Sequence, residues 1–247
     1  MWPVVLVSSA VAGGGGFDHD HGAFAAFLRG AVDGVLVDYT LLATRHAMLD
    51  QYLETIAEVD ASAFTPAEKL ALYVNAYNAY TIDLVLDANL PKSIRDLDGG
   101  KVWDTRTIRV ARSNLTLNQI EHEHARKLAD GRVHAVINCA SKGCPPLPPT
   151  PLTSTGQQEQ LDEAVRRWAA TNAFRLEGET VKLSMIFDWY GEDFADARKG
   201  DLAKVDGEAE AAFWFLARYT DRATSAKLTS GTLGAAWMEY DWTLNRK

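Results

Sequence analysis

The sequence predicts an α+β fold: a single domain with a mainly antiparallel sheet, a buried central helix and surrounding helices. The central helix is expected from Thr65 to about Asn89, where apolar side chains fall on every side of the helical wheel. The sheet is expected from two hairpin patterns, over residues 101–115 and 174–184, in which apolar and polar side chains alternate around short turns. Amphipathic segments before and after them supply the surrounding helices.

Composition indicates a globular core and argues against two classes of partner. The chain has 247 residues, of which 47% are hydrophobic, and its formal net charge is -8. Because Lys and Arg are neither in excess nor clustered, we expect no nucleic-acid partner and no binding to an anionic membrane surface. No apolar run has the length of a bilayer span, so we also expect no transmembrane anchor.

Residues 1–16 form an apolar and Gly-rich segment in front of the domain, which we expect to cover residues 17–247. The apolar part ends in an Ala-x-Ala pattern, as the remnant of a secretory signal does. It has no Lys or Arg before the apolar run, so an ordinary start with a flexible linker is the alternative. The first interpretation implies a periplasmic or secreted protein, and the second a cytoplasmic one.

The other elements follow from apolar spacing and capping residues. Thr65, Pro66 and Glu68 form a strong start for the central helix, with a capping box and a proline at the first helical position. Thr116 opens another helix in the same way. Further helices are expected around residues 24–28, 39–59, 157–172 and 211–219, and a strand-like segment at 237–242.

Residues 134–149 contain both cysteines and are the leading candidate for a functional site. The apolar run at 134–137 predicts a buried strand, and the Gly- and Pro-rich segment after it ends that strand. Cys139 would therefore lie at a strand end. A reactive thiol needs a lowered pKa, and the main-chain N–H groups of the turn at 141–143 are one candidate cause.

Three histidines are candidates for the base that would activate Cys139. His134 is near in sequence, but five residues of extended strand span about 16 Å and place the two side chains on opposite faces. His122 and His124 would come from the preceding helix, where Glu121 lies on the apolar stripe and can orient an imidazole. The resulting hypothesis is a nucleophile, a base and an orienting carboxylate.

Two asparagines, Asn75 and Asn78, interrupt the central helix on one face. A buried amide without hydrogen bonds costs about 1–3 kcal/mol, so both must have partners. Either they bond neighbouring main chain, or they orient the loop that carries Cys139, or they bind a substrate amide.

The cysteines admit two further interpretations. Cys139 and Cys144 can form a small disulfide, as a local staple or a redox pair, if their Cα atoms approach within about 7 Å. A metal site built from His122, His134 and Cys139 is a weaker alternative. The alternating Asp and His residues at 18–21 lie beside the glycine run and are interpreted as a solvated tail. We expect no metal and no cofactor.

Several motifs resemble those of the family called domain of unknown function 547 (DUF547). They are YVNAYNA (73–79), KSIRDL (92–97), IEH (120–122), NCASKGCPPL (138–147), SMIFDWY (184–190) and the terminal YDWTLN (240–245). The resemblance implies, by analogy, a relation to papain-like or transglutaminase-like cysteine enzymes. His124 departs from the family pattern, which argues against a catalytic role for it. The polar motif residues that carry over are Asn75, Asn78, Glu121, His122, Arg126, His134, Asn138, Cys139, Ser141 and Cys144.

The leading functional hypothesis is a cysteine-dependent hydrolase or acyltransferase that acts on a peptide amide or a thiol-containing small peptide. In it, Cys139 is the nucleophile, His134 or His122 the base and Glu121 the orienting carboxylate. The alternative is a non-catalytic peptide- or ligand-binding module with structural cysteines. The oligomeric state is left open. The expected substrate-binding residues are Asn75, Asn78, Asn138, Ser141, Cys144 and Arg126.

Overall fold

The central helix predicted from the sequence is α4, Pro66–Asp87, and it lies inside the core. The predicted capping box is present: the Thr65 hydroxyl accepts from the Glu68 N–H, and the Glu68 carboxylate accepts from the Thr65 N–H. The helix stops shortly before Pro91, because Asn89 and Leu90 have positive φ angles of 54° and 58°. Buried side chains on every side confirm that this helix is central.

The computed structural model describes residues 16–200, 202–205 and 207–247. The predicted signal remnant or linker at 1–16 therefore lies outside the described residues except for Gly16. In this part of the chain, no helix combines the length and the apolar character that a bilayer span requires. One continuous cluster of buried side chains joins the elements into a single hydrophobic core.

The segment before α4 is mainly helical, but the single helix predicted at 39–59 is divided into two. Thr44 and Arg45 interrupt the predicted helix at 39–59, and the Arg45 guanidinium donates to the carbonyls of Phe27 and Arg29, at the end of the first helix. His21, predicted to lie in a solvated tail, is instead buried, and its Nδ1 lies 2.8 Å from the Tyr52 hydroxyl. The elements are α1 (Gly22–Leu28), β1 (Val32–Asp33), β2 (Leu36–Val37), α2 (Tyr39–Ala43) and α3 (His46–Glu58).

The first predicted hairpin is present but shorter than expected. It follows a 3₁₀ turn, Ile94–Gly100, and α5 (Val102–Thr105), and consists of β3 (Thr107–Val110) and β4 (Ser113–Thr116). Its turn is at Ala111 and Arg112, and both residues have positive φ. Their N–H groups donate to the carbonyls of Ile56 and Ala57, so contact with the end of α3 holds this unusual turn.

The predicted strand at 134–137 is wrong. The helix predicted from Thr116 runs through α6 (Leu117–Gln119), a π-helical segment (Ile120–Ala125) and α7 (Arg126–Leu128), and a 3₁₀ turn then covers Gly131–Ala135. Asp130 caps this turn by accepting from the Arg132 N–H. The chain that follows is irregular, because Asn78 of α4, not a neighbouring strand, bonds the main chain of Val136 and Asn138.

The second half contains the largest sheet, which has three strands. The hairpin predicted at 174–184 is confirmed as β5 and β6, which are antiparallel, whereas β7 pairs with β6 in parallel. The fold is therefore mixed helix and sheet as predicted, but helices dominate and the three sheets of the described residues are small. The elements are α8 (Gln157–Ala169), β5 (Phe174–Glu177), β6 (Thr180–Leu183), α9 (Met185–Trp189), α10 (Gly191–Phe194), the 3₁₀ turn Ala195–Ala197, α11 (Gly207–Leu216), α12 (Arg222–Leu228) and β7 (Gly234–Trp237).

The chain end returns along the segment that carries the cysteines. Regular pairing stops at Trp237, so most of the strand-like segment predicted at 237–242 lies outside β7. Residues 241–245 nevertheless bond main chain to main chain with residues 140–143. The Asn245 N–H donates to the Ala140 carbonyl, and Ser141 pairs with Leu244. This contact places the terminal aromatic residues next to Cys139.

Replacing Gly131 with alanine is expected to lower the free energy of unfolding by about 1–3 kcal/mol. A Cβ there would lie 2.7 Å from the carbonyl oxygen of Asp193 and 2.7 Å from the Phe194 ring, so main chain would have to move. Gly200→Ala is the control, because a Cβ there meets nothing within 4 Å. It is expected to change stability by less than about 0.5 kcal/mol. Urea unfolding measures both, and equal effects would contradict the packing argument.

Candidate functional site

A cavity of about 160 Å³ opens beside the cysteines. It combines aromatic walls with a small group of polar side chains, a composition typical of ligand sites. Cys139, His134 and Glu121 line it, whereas His122 is not among its lining residues. The aromatic walls come from four separate segments, and consist of Tyr77, Trp103, Trp189, Tyr190, Tyr240 and Trp242.

The two cysteines are in direct contact at this cavity. Both are free thiols, and their sulfurs lie 2.6 Å apart. Cys139 Sγ also lies 3.2 Å from the hydroxyls of Ser141 and Tyr240. The Cys139 N–H donates to Cys144 Sγ at 2.9 Å. Each sulfur therefore has hydrogen-bonding partners that belong to this one short loop and to Tyr240.

These contacts move the two pKa values in opposite directions. The hydrogen bond from Cys144, with those from Ser141 and Tyr240, lowers the pKa of the Cys139 thiol to about 7, although its burial acts against this. Burial raises the pKa of the Cys144 thiol well above its ordinary value, and the neighbouring Cys139 raises it further. Around neutral pH, Cys139 is therefore partly ionised, whereas the proton stays on Cys144.

The asparagines named from the sequence hold main chain with both ends of their amide groups. Asn78 donates to the Val136 carbonyl at 2.7 Å and accepts from the Asn138 N–H at 2.9 Å. Asn75 bonds the carbonyl and the N–H of Leu152 in the same manner. Asn78 thus matches the loop-orienting alternative, whereas Asn75 bonds main chain at Leu152, beyond the segment that carries Cys139.

Asn138 fixes the cysteine loop, residues 138–145, of which it is itself a member. Its amide donates to the Pro145 carbonyl at 2.8 Å, and its side-chain oxygen accepts from the Ala140 N–H at 2.9 Å. Two of the three N–H groups of the predicted nest at 141–143 are not available to an anion, because those of Lys142 and Gly143 donate to the carbonyls of Thr243 and Asp241. The third, of Ser141, contributes to the lowered pKa of Cys139, whose larger causes are side-chain hydrogen bonds.

His134 is oriented by Asp193, a residue that the sequence analysis does not assign to the site. His134 Nε2 lies 2.7 Å from Asp193 Oδ2, and its ring packs on Tyr190 with the centroids 4.2 Å apart. Burial alone would raise the pKa of Asp193, but hydrogen bonds from His134 and Arg126 hold it well below its ordinary value. An ionised carboxylate only accepts, so His134 Nε2 carries a proton and Nδ1 is its basic nitrogen.

His122 and Arg126 belong to the same polar network but lie away from the cavity. Arg126 bonds Asp193 through two nitrogens, at 2.6 and 3.0 Å, and Glu192 at 2.7 Å. Its third nitrogen lies 2.8 Å from His122 Nδ1, which must accept because a guanidinium only donates. Arg126 therefore contacts carboxylates and His122 in the described residues, and it supports Asp193.

Glu121 lies at the cavity beside two phenols. Its charge, together with burial, raises the pKa values of Tyr77 and Tyr190 above that of an exposed tyrosine, with burial the larger cause. The expected bond from Glu121 to an imidazole is not present among the described hydrogen bonds. Asp193 occupies the orienting position that was assigned to Glu121.

Tyr240 and Asp193 are the two residues that sequence reasoning missed. Tyr240 lies in the terminal motif YDWTLN, and Asp193 follows the motif SMIFDWY. The local sequence does not say that these side chains face Cys139 and His134. His124, the other candidate base, stacks on Tyr73 with the centroids 4.2 Å apart and does not line the cavity.

A separate group of side chains has the spacing of metal ligands. His46, Asp83 and Asp87 offer ligand atoms that lie within 4.8 Å of one another on α3 and α4. His46 Nε2 is 2.8 Å from Asp83 Oδ1, and this hydrogen bond by itself explains why the two side chains lie close together. The alternative metal set of His122, His134 and Cys139 is not brought together, because His122 faces Arg126.

Comparison with known proteins gives one match. The family model described as "Protein of unknown function, DUF547" matches residues 61–169, which include α4, the cysteine loop and α8. Four of the motifs on which the resemblance rests lie in this range, and SMIFDWY and YDWTLN lie after it. No curated protein and no solved structure matches the chain. The match over residues 61–169 confirms the resemblance to the DUF547 family.

Proposed function

We propose that the protein is a cysteine-dependent hydrolase or acyltransferase that acts on a peptide amide or a thiol-containing small peptide. One observation carries the proposal. Cys139, whose thiol pKa is lowered to about 7, and His134, oriented by Asp193, line the same cavity. A nucleophile, a base and an orienting carboxylate are the groups that acyl transfer requires.

The proposed reaction has two steps. In the first, the Cys139 thiolate attacks the substrate carbonyl carbon, and the amine or thiol leaves with a proton from the imidazolium of His134. In the second, His134 Nδ1 takes a proton from water or an acceptor amine, which then attacks the acyl group and releases Cys139. Asp193 holds the ring and stabilises its protonated form. Glu121, the carboxylate first assigned to this role, lies instead beside Tyr190.

The cavity walls support a small substrate with an apolar or planar group. Trp189, Tyr240 and Trp242 pack against one another with ring centroids 4.5–5.8 Å apart. Trp189 is 45% exposed, so part of this aromatic surface is open to a ligand. Aromatic faces bind apolar groups and other rings, whereas a cavity of about 160 Å³ excludes a folded chain. A short peptide is therefore the proposed partner, and nucleic acid is not.

A relation to papain-like or transglutaminase-like folds is part of this proposal. Its support is that a cysteine and a histidine of residues 134–149 are grouped near one cavity with a carboxylate from a distant segment. Shared architecture would not by itself assign the reaction, because chemistry belongs to the site. The proposal therefore depends on the reactivity of Cys139.

One observation favours the second candidate, a non-catalytic peptide-binding module. Among the described residues, the side-chain groups bonded to Cys139 Sγ are Cys144, Ser141 and Tyr240, and none is an imidazole. A binding module would use the aromatic walls and leave the thiols unreacted. The reactivity of Cys139 discriminates between the two candidates.

Iodoacetamide is expected to alkylate Cys139 of the reduced protein with a rate that rises with pH around a midpoint near 7. Only the thiolate reacts, so the rate is low below this pH and constant above it. Peptide mapping by mass spectrometry locates the adduct, and Cys139→Ser is the control. Slow labelling of Cys139 without a pH dependence would favour the binding module.

Tyr240→Phe is expected to move that midpoint to higher pH. The Tyr240 hydroxyl lies 3.2 Å from Cys139 Sγ, and its hydrogen bond is one of the causes that lower the pKa of this thiol. Removing this donor destabilises the thiolate, and a shift of about one pH unit corresponds to about 1.4 kcal/mol. Tyr80→Phe is the matched control, because Tyr80 donates to the Arg109 carbonyl in the first hairpin. An unchanged midpoint in Tyr240→Phe would exclude the phenol as a donor to the thiolate.

An activated ester, p-nitrophenyl acetate, is expected to acetylate Cys139 and then turn over. His134→Ala should slow hydrolysis of the acetyl group by about 10²-fold or more, since it removes the base for the second step. Asp193→Asn should also slow it, because the ring loses its orienting carboxylate. The matched control is Glu192→Gln, which removes another carboxylate bound to Arg126 but none bound to His134. Equal turnover in wild type and His134→Ala would contradict the assignment of the base.

A further inference from the structure

We propose that Cys139 and Cys144 act as a dithiol that reduces small disulfides, with Cys139 as the attacking thiol and Cys144 as the resolving thiol. The inference goes beyond acyl transfer: it uses the same nucleophile but needs neither His134 nor a carbonyl substrate. It starts from the contact of the two sulfurs, 2.6 Å apart, at the wall of a cavity.

The fold brings the two thiols together although four residues separate them. Ala140 has a positive φ of 61°, which turns the chain directly after Cys139. The Cys144 N–H then donates to the Ser141 carbonyl, so the chain reverses within the loop. The Asn172 amide donates to the carbonyls of Lys142 and Cys144 and holds the second half of the loop in place. The C-x-x-C spacing of common redox motifs is therefore not needed for the thiols to meet.

The surroundings of the two sulfurs assign their order. Cys139 Sγ lies at the cavity within hydrogen-bonding distance of Ser141 and Tyr240 and is the thiol that ionises first, whereas Cys144 is 4% exposed and stays protonated. The thiolate is the form that attacks a disulfide. Once Cys139 is bonded to substrate sulfur it no longer carries a charge, so one cause of the raised pKa of Cys144 is removed. The Cys139 N–H, 2.9 Å away, then stabilises the thiolate that forms on Cys144.

The exchange balances without any further group. The Cys139 thiolate attacks one sulfur of the substrate disulfide, a new S–S bond forms, and the second substrate sulfur leaves with the electron pair and takes a proton. Cys144 then loses its proton and attacks Cys139 Sγ, and the first substrate sulfur leaves as a thiol. One disulfide is reduced to two thiols, and the protein dithiol is oxidised to one disulfide. A thiol or dithiol reductant restores the starting state.

The cavity indicates the class of substrate. Its aromatic walls and its volume of about 160 Å³ admit one end of a low-molecular-weight disulfide, such as a disulfide between two short peptides. A disulfide buried in a folded protein would not reach Cys139.

Oxidised glutathione tests the proposal on the full-length reduced protein. The wild-type protein is expected to lose two hydrogens and to release two equivalents of glutathione thiol, without keeping an adduct. Cys144→Ser should keep one glutathione on Cys139, because the resolving thiol is gone. Cys139→Ser should react at least about tenfold more slowly, because its remaining thiol is buried and protonated.

Two results would overturn the proposal: a wild-type protein that keeps glutathione or does not react, or a Cys139→Ser variant that reacts as fast as Cys144→Ser. The wild-type measurement needs no variant, so a misfolded mutant cannot decide the outcome. His134→Ala separates this proposal from acyl transfer, since it should retain exchange with oxidised glutathione while ester turnover falls. Exchange without ester turnover in the wild type would remove the proposed acyl transfer and leave this inference standing.

Discussion

The structure of the site depends on how the main chain of the cysteine loop satisfies its hydrogen bonds. A loop buried against α4 cannot bond water, and a buried polar group without a partner costs about 1–3 kcal/mol. Two side chains supply the missing partners, Asn78 from α4 and Asn138 from within the loop. Residues 241–245 supply further partners for the main chain of the loop through main-chain hydrogen bonds. Through these bonds, distant segments set the position of Cys139.

The same arrangement explains why the two thiols differ. Both belong to one loop, so local sequence alone does not separate them. Tyr240, carried by the segment at 240–245, reaches Cys139 Sγ, whereas Cys144 lies deeper and its burial raises the pKa of its thiol. Differential solvation and hydrogen bonding then favour the charge on Cys139. The proposed acyl transfer and the proposed disulfide exchange both depend on this one difference.

A second network, built around Asp193, positions the histidine. Its carboxylate accepts from His134 and from two nitrogens of Arg126, and the Tyr190 ring lies against both. Arg126 neutralises the charge of Asp193, so the carboxylate can lie largely buried beside the cavity. His122, on the far side of Arg126, is a neighbour of this network and not of the thiols.

Local signals in the sequence determined the longer helices, such as α4, and the two hairpins β3–β4 and β5–β6. Capping residues and apolar periodicity act within a few residues, and they predicted α4 from its Thr65 cap and the hairpin around Gly178. The same signals misassigned residues 134–137, since a short apolar run fits a buried strand and a buried irregular segment equally well. Only the tertiary structure decided that Asn78 bonds this segment in place of a strand.

The identity of the nucleophile candidate came from the sequence, but its partners came from the fold. Two cysteines close together suffice to name Cys139 and Cys144. Asp193 and Tyr240 lie 54 and 101 residues after Cys139, and nothing in the local sequence says that they approach it. Side-chain pKa values and hydrogen bonds depend on distances through space, and the tertiary structure alone determines those distances.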